Sequence, residues 1–252
     1  MSDTDLKLAH APIVEAVLDI DCDMPPAQEV AALETVARDR FHAQYPKFRT
    51  QFQQGFRIER QSGGPPQFAT DRPGVQAFRF LQEDERQLVQ VRARGFSFNR
   101  LAPYTSLDDY LPEIERTWRL FVGLAAPTQI RSVRLRYINR ILLPLTADRV
   151  ELDDYLAIGP RLPDEERLTF VGFLNQHTAL EADTGNQVNI ILTTQSRGPD
   201  VLPLIFDITA LREESAEPEN WDWIVARIQS LRRLKNRVFK NSLTERCLEL
   251  LR

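Results

Sequence analysis

Residues 129 to 145, QIRSVRLRYINRILLPL, alternate too regularly to be read as anything but a long strand. Within VRLRYINRI, Arg134, Arg136 and Arg140 fall on one side, and Val133, Leu135, Tyr137 and Ile141 on the other. That split follows from strand geometry, in which successive side chains point to opposite faces. A strand of this kind has one side for a core and one side carrying a row of guanidinium groups. The rest of the chain must supply neighbours for both.

PIVEAVLDIDC, residues 12 to 22, is the comparable strand near the start. It places Val14, Ala16, Leu18 and Ile20 on one face and Glu15, Asp19 and Asp21 on the other. A helix follows, opened by prolines and seamed by Val30, Leu33, Ala37 and Phe41. KFRTQFQQGFRIER predicts an alternating strand with Phe48, Phe52, Phe56 and Ile58 on its apolar side, ended by the QSGGPPQ loop. VQAFRFLQEDERQLVQVRARGFSF predicts a hairpin turning at residues 83 to 85, with Gly95 marking a bulge in its second strand. Ser106 is placed to cap a helix whose stripe is Tyr110, Ile114, Trp118, Phe121 and Val122, with Pro112 early enough to be tolerated.

After the long central strand the order recurs. LDDYLAI predicts a short helix, and RLTFVGFLNQ, NQVNIILTTQ and VLPLIFDITAL predict three strands. The segment from Pro218 to Lys240 is an amphipathic helix, and a last helix is capped at Ser242 with Glu245. Each half therefore reads strand, helix, three strands, helix, over residues 12 to 127 and 129 to 239, with 240 to 252 as a terminal helix. The halves share little residue identity, so the duplication is one of topology. The expected fold class is α+β: one domain over 1 to 252, two similar β-α-β-β-β-α halves, and a largely antiparallel sheet with helices on one face. TATA-binding-protein-like saddles and helix-grip folds offer analogies for this order, and an analogy of fold carries no function.

Hydrophobic residues make up 42% of the chain and net charge is −4, so there is core material and no global pull toward polyanions. The start, MSDTDLKLAHAP, lacks a signal pattern, and no apolar run approaches the ~20 residues of a membrane span. Cys22 and Cys247 sit in apolar stretches and are expected as packing residues rather than a disulfide. The expectation is a soluble, cytoplasmic protein with no membrane contact.

Chemistry-bearing motifs are scarce. His10, His42 and His177 have no ligand spacing, and no HExxH, paired CxxC, GxSxG, Walker loop or strand-borne GxGxxG occurs. No cofactor and no metal site is expected. Asp207 with Thr209, or Asp153 with Asp154, are the carboxylates a metal could use, though helix capping accounts better for the second pair. Two readings of the arginine strand stay open. Arg134, Arg136 and Arg140, with Arg92 and Arg94, could hold a phosphate, a carboxylate or a partner. Alternatively they pair with acids of the adjacent strand, Glu15 opposite Arg136 or Arg140, in a structural network that also includes Asn139. VRARGFSFNRLAPY interleaves arginines and aromatics as nucleic-acid binders do, without a recognised signature. Arg232, Arg233, Lys235 and Arg237 form a basic run on the long C-terminal helix, either a solvated face or a docking face.

HAPIVEAVLDI, FSFNRLAPYTSLDDY, VRLRYINRILLP and LKNRVFKNSLTE occur in that order over nearly the whole chain. In this the chain resembles a sporadically distributed family of uncharacterised bacterial proteins of similar length. Pro12 to Glu15 and Arg136 to Arg140 carry the resemblance most specifically. It implies a bacterial protein and assigns no activity, cofactor or site residue; its patchy distribution suggests a defence or toxin–antitoxin setting. The leading functional expectation is a non-enzymatic binding or accessory module acting through a protein partner or its own oligomer. The alternatives are a nucleotide or nucleic-acid binder using the arginine face, and an enzyme with a dispersed acid/base site around Glu15.

Overall fold

The computed structural model describes residues 8–26, 29–53, 56–59, 67–70, 74–147, 149–164, 167–168 and 170–252; for Gln53, 56–59 and 67–70 it describes the backbone alone. In chain order the elements are β1 (Ile13–Asp23), a 3-10 turn (Val30–Leu33) running into α1 (Glu34–Phe41), β2 (Lys47–Gln53), β3 (Phe56–Glu59), β4 (Gln67–Thr70), β5 (Gly74–Leu81), β6 (Gln87–Arg92), β7 (Gly95–Leu101) and α2 (Leu107–Ala125). Then come β8 (Gln129–Pro144), a 3-10 turn (Leu152–Asp154), β9 (Leu174–Leu180), β10 (Gln187–Thr194), β11 (Val201–Ala216), α3 (Trp221–Ser242) and α4 (Glu245–Glu249).

Nine strands form one sheet in the order β2-β5-β6-β7-β1-β8-β11-β10-β9, every pairing antiparallel, and β3 and β4 form a separate hairpin. The two first strands of the halves, β1 and β8, meet in the middle. Outward from them run β7-β6-β5 on one side and β11-β10-β9 on the other, so the sheet is arranged about the β1–β8 seam. This is an α+β protein.

The alternation of each strand supplies one side of the core. Phe80, Val89, Phe98, Leu18, Leu135, Ala210 and Val188 stand opposite one another from β5 to β10, and all are buried. Helices cover this row. Phe41 of α1 stacks on Phe80 with centroids 4.9 Å apart, Trp118 of α2 meets Phe96 edge-on at 5.7 Å, and Phe239 of α3 stacks on Phe206 at 5.5 Å. Each such ring contributes about 1.5–3 kcal/mol by leaving water. The indole Nε1 of Trp118 donates to the Pro218 carbonyl at 2.9 Å, so its burial leaves no polar atom unmet. Ser106 caps α2 by accepting from the Asp108 amide at 3.3 Å. Cys22 and Cys247 are free and buried, and burial pushes their thiols up to about 12 and about 11.

Several expectations give way. The strand expected over residues 47 to 60 ends at Gln53: the register shifts between Gln51 and Phe52, which leaves Phe52 58% exposed, and Phe56 begins the separate hairpin. The side chains of Phe56 and Ile58 and most of the QSGGPPQ loop lie outside the described residues. Gly95 does not mark a bulge. It opens a new strand after a two-residue turn, and the first half thus gives the sheet five strands to the second half's four. The helix expected at residues 152 to 158 is a single 3-10 turn, and β9 begins at Leu174, seven residues beyond the expected start at Arg167. Thr244, not Ser242, caps the last helix, because α3 runs through Ser242.

Candidate functional site

The three longer helices lie on one side of the sheet, and the arginines of β8 point to the other. On this polar face Arg134 stands between two carboxylates of β1, 3.7 Å from Asp19 and 3.7 Å from Asp21. From the far side of β1, Arg92 of β6 reaches Asp21 at 2.7 Å and Asp19 at 3.8 Å. Its Nη2 also donates to the Phe96 carbonyl at 2.9 Å. Ser97 and Ser132 donate to Asp19 and Asp21, at 2.5 and 3.1 Å. Strand pairing makes this inevitable: Asp19 is registered with Ser97 on one side and Arg134 on the other, and Asp21 with Gly95 and Ser132.

Arg136 turns the other way. Its Nε and Nη2 donate to both oxygens of Asp207 on β11, at 3.0 and 2.5 Å. That bidentate bond, with the added charge of Glu15 and Asp19 nearby, holds the guanidinium above its usual pKa. Glu15 accepts from Asn99 at 2.7 Å; Asn99 accepts from Gln90 at 2.8 Å, and Gln90 from Arg79 at 3.2 Å, a polar relay across β5, β6, β7 and β1. Arg140 donates to Gln195 at 3.1 Å, beside a hollow of about 800 Å³ lined in part by Arg149, Glu151, Asp153, Phe170 and Arg197.

Each of the three arginines of β8 expected on this face has a polar partner within the chain. The arginines are paired, but Glu15 is not their partner: it registers with Ile138 and bonds Asn99 instead. In the register that β1 and β8 keep from Glu15 to Asp21, Asp19 stands opposite Arg134, Asp21 opposite Ser132 and Glu15 opposite Ile138. Asn139 belongs to no common network with Glu15, since it lies on the helix side, where its Nδ2 donates to the Phe206 carbonyl at 2.9 Å. Arg94 sits exposed in the turn before β7, apart from Arg92.

The basic run of α3 is not one face either. Nη1 of Arg232 donates to both oxygens of Asp108 at the start of α2, at 2.9 and 2.8 Å, which holds the Asp108 carboxyl below the usual carboxylate range. Lys235 lies 4.0 Å over the ring of Tyr137, whose hydroxyl is 2.8 Å from that of Tyr104. Burial, with Arg232 nearby, pushes the Lys235 amine down to about 7. Arg237 pairs with Glu181, and Arg233 is exposed. Of these, Tyr104, Tyr137 and Asp108 were not legible as a cluster. The only hint was a tyrosine on the apolar side of the central strand. Asp153 and Asp154 are paired with Arg161 and Arg246. Asp207 gives both oxygens to Arg136. Among the described residues, no group of three or more His, Cys, Asp or Glu side chains is placed to hold a metal ion.

Fold and site together define an α+β protein built on one two-part antiparallel sheet, with a polar face of matched arginines and carboxylates. No protein-family model matches the chain, and no curated protein is similar to it. Among the described residues, no helix is long and apolar enough to cross a membrane.

Proposed function

We propose that the protein is a non-enzymatic binding module whose polar sheet face receives a protein partner. The observation that supports this most is the mixing of charge: Glu15, Asp19, Asp21 and Asp207 stand among Arg92, Arg134, Arg136 and Arg140 on one surface. A nucleic acid would meet four carboxylates here, and would have to displace them to reach three of the guanidiniums. A protein surface can answer both signs at once, and arginines held rigid by carboxylates present donors at little entropic cost. The side chains of Arg134 and Arg136 remain 37% and 44% exposed, so a partner can reach them. Gln195 ties Arg140 to the neighbouring hollow, which is large enough for an inserted side chain. The family resemblance makes bacterial defence or a toxin–antitoxin pair the setting of this proposal.

A photo-crosslinking residue placed in turn at Thr209 and Arg140 on the polar face, and at Arg119 on the outer side of α2, tests it in native lysate. A protein adduct from the first two positions and none from the third is expected. Equal labelling from position 119 would overturn the assignment of the face. So would tight binding of single-stranded DNA or RNA by the purified protein, with affinity falling steeply as salt rises.

A further inference from the structure

β9 is the outer strand of the sheet, and nothing in it protects an edge. Its sequence, LNQHTAL, holds no lysine, arginine, aspartate, glutamate or proline, the usual devices against edge-to-edge pairing. The opposite edge differs: β2 carries Lys47 and Arg49, both engaged with Glu85. Exposed large apolar side chains stand at both ends of β9, Leu174 and Leu180, and two more precede it in the chain. Leu168, Val171, Leu174 and Leu180 are four of the eight found among the described residues.

Hydrogen-bond parity shows what the edge offers. The Glu181 amide donates to Asn186 and the Thr194 amide to the carbonyl of Phe173, so the odd-numbered residues of this strand face β10. Leu174, Gln176, Thr178 and Leu180 therefore send their N–H and C=O groups outward. The strand is symmetric about His177, with leucines three residues to either side. Laid antiparallel on a second copy about a two-fold axis at His177, Leu174 meets Leu180 of the other chain and Gln176 meets Thr178. Outward-facing residues meet outward-facing residues throughout, giving eight hydrogen bonds, four donated by each copy. No lysine, arginine, aspartate or glutamate meets its like, because the strand has none and the adjacent Glu181 is already held by Arg237.

We propose that β9 pairs with β9 of a second copy, joining two nine-stranded sheets into one. The two His177 residues then form the close, non-hydrogen-bonded pair at the axis, with Cα atoms ~4.5 Å apart. Cross-strand pairs of that type come within reach of disulfide geometry. Light scattering after size exclusion should give twice the chain mass of 29.1 kDa. Thr178→Lys and Gln176→Pro should each give the single-chain mass with unchanged circular dichroism, since both act on outward-facing positions. His177→Cys should form an inter-chain disulfide on mild oxidation, with Asn175→Cys as a control that does not, Cys22 and Cys247 being buried. A monomer at high micromolar concentration, a dimer that survives Thr178→Lys, or crosslinking at 175 but not at 177 would overturn the pairing. Capture of an extended peptide by a monomeric wild type would assign the edge to another occupant and overturn it too.

Discussion

Arg136 holds both oxygens of Asp207 across the β8–β11 pair, yet the two side chains are unequally placed: the guanidinium is 44% exposed and the carboxylate 9%. The cost of breaking the pair therefore depends on which partner is removed. Arg136→Ala strands a buried carboxylate, and should destabilise the fold by about 2–3 kcal/mol. Asp207→Ala leaves an arginine that can turn to water, and should cost about 1 kcal/mol. Urea unfolding checks both, as a shift of midpoint with the slope unchanged. Equal costs would mean that the carboxylate is better hydrated than its position allows.

Gly95 allows a second prediction on the same sheet. Its φ is +137°, and a Cβ built there would lie 2.1 Å from the Ile20 carbonyl oxygen, which is backbone and cannot swing aside. Gly95→Ala should lower stability by about 3 kcal/mol or more through strain and clash together. Arg94→Ala, one residue earlier in an exposed turn, should change it by less than about 0.5 kcal/mol. Thermal melts of the two variants side by side separate a local steric cause from general intolerance of the turn.

The same glycine shows where sequence reasoning stopped. Alternation placed β1 and β8 well, because each has one buried and one polar side, and it correctly named Leu18, Ile20, Val133 and Leu135 as core. Helical spacing did likewise for Ile114, Trp118 and Phe121. Around Gly95 the apolar positions change parity, from Val89 and Val91 to Phe96 and Phe98, and a bulge within one strand would leave the same mark as a tight turn between two. The polar face was half legible. Reading β1 and β8 as neighbours put acids of β1 against the arginines of β8, which holds for Arg134 alone of the three: Arg136 takes Asp207 of β11 and Arg140 takes Gln195 beyond β10. Asp207, chosen by Arg136, lies some seventy residues away and is brought in only by the sheet order. The Tyr104–Tyr137 hydroxyl pair and the lysine above it come from three distant elements, and no local pattern announces them.

Lys235 gives the pH dependence. Its amine titrates near pH 7 in the folded protein and near 10.5 in the unfolded chain. Below about pH 7 both states are protonated, and the folded state bears the full cost of a poorly solvated ammonium. Between about 7 and 10.5 the unfolded chain binds a proton that the folded one lacks, so this residue makes stability rise with pH. Lys235→Met keeps the stem and removes the charge. It should stabilise the protein by on the order of 1–2 kcal/mol at pH 6, the ring of Tyr137 having softened the penalty, and the gain should shrink toward pH 10. Denaturation midpoints of both proteins across that range measure it. A gain independent of pH would trace to packing rather than to the proton.

The carboxylates of the polar face predict a gain of function on their removal. Asp19 and Asp21 occupy Arg92 and Arg134 from both sides, and their negative charge repels any phosphate approaching the same nitrogens. In Asp19→Asn/Asp21→Asn the two serine hydrogen bonds can still be accepted by amide oxygens, so the sheet keeps its geometry while the patch gains two units of positive charge. The double variant should bind a short single-stranded DNA that the wild type does not retain. Two phosphate contacts should give a slope of log affinity against log salt near about −1.4. Fluorescence anisotropy over a salt series reads both quantities. If the wild type already binds with that slope, the aspartates are not what keeps nucleic acid off this face. The preference for a protein partner would then have no electrostatic basis.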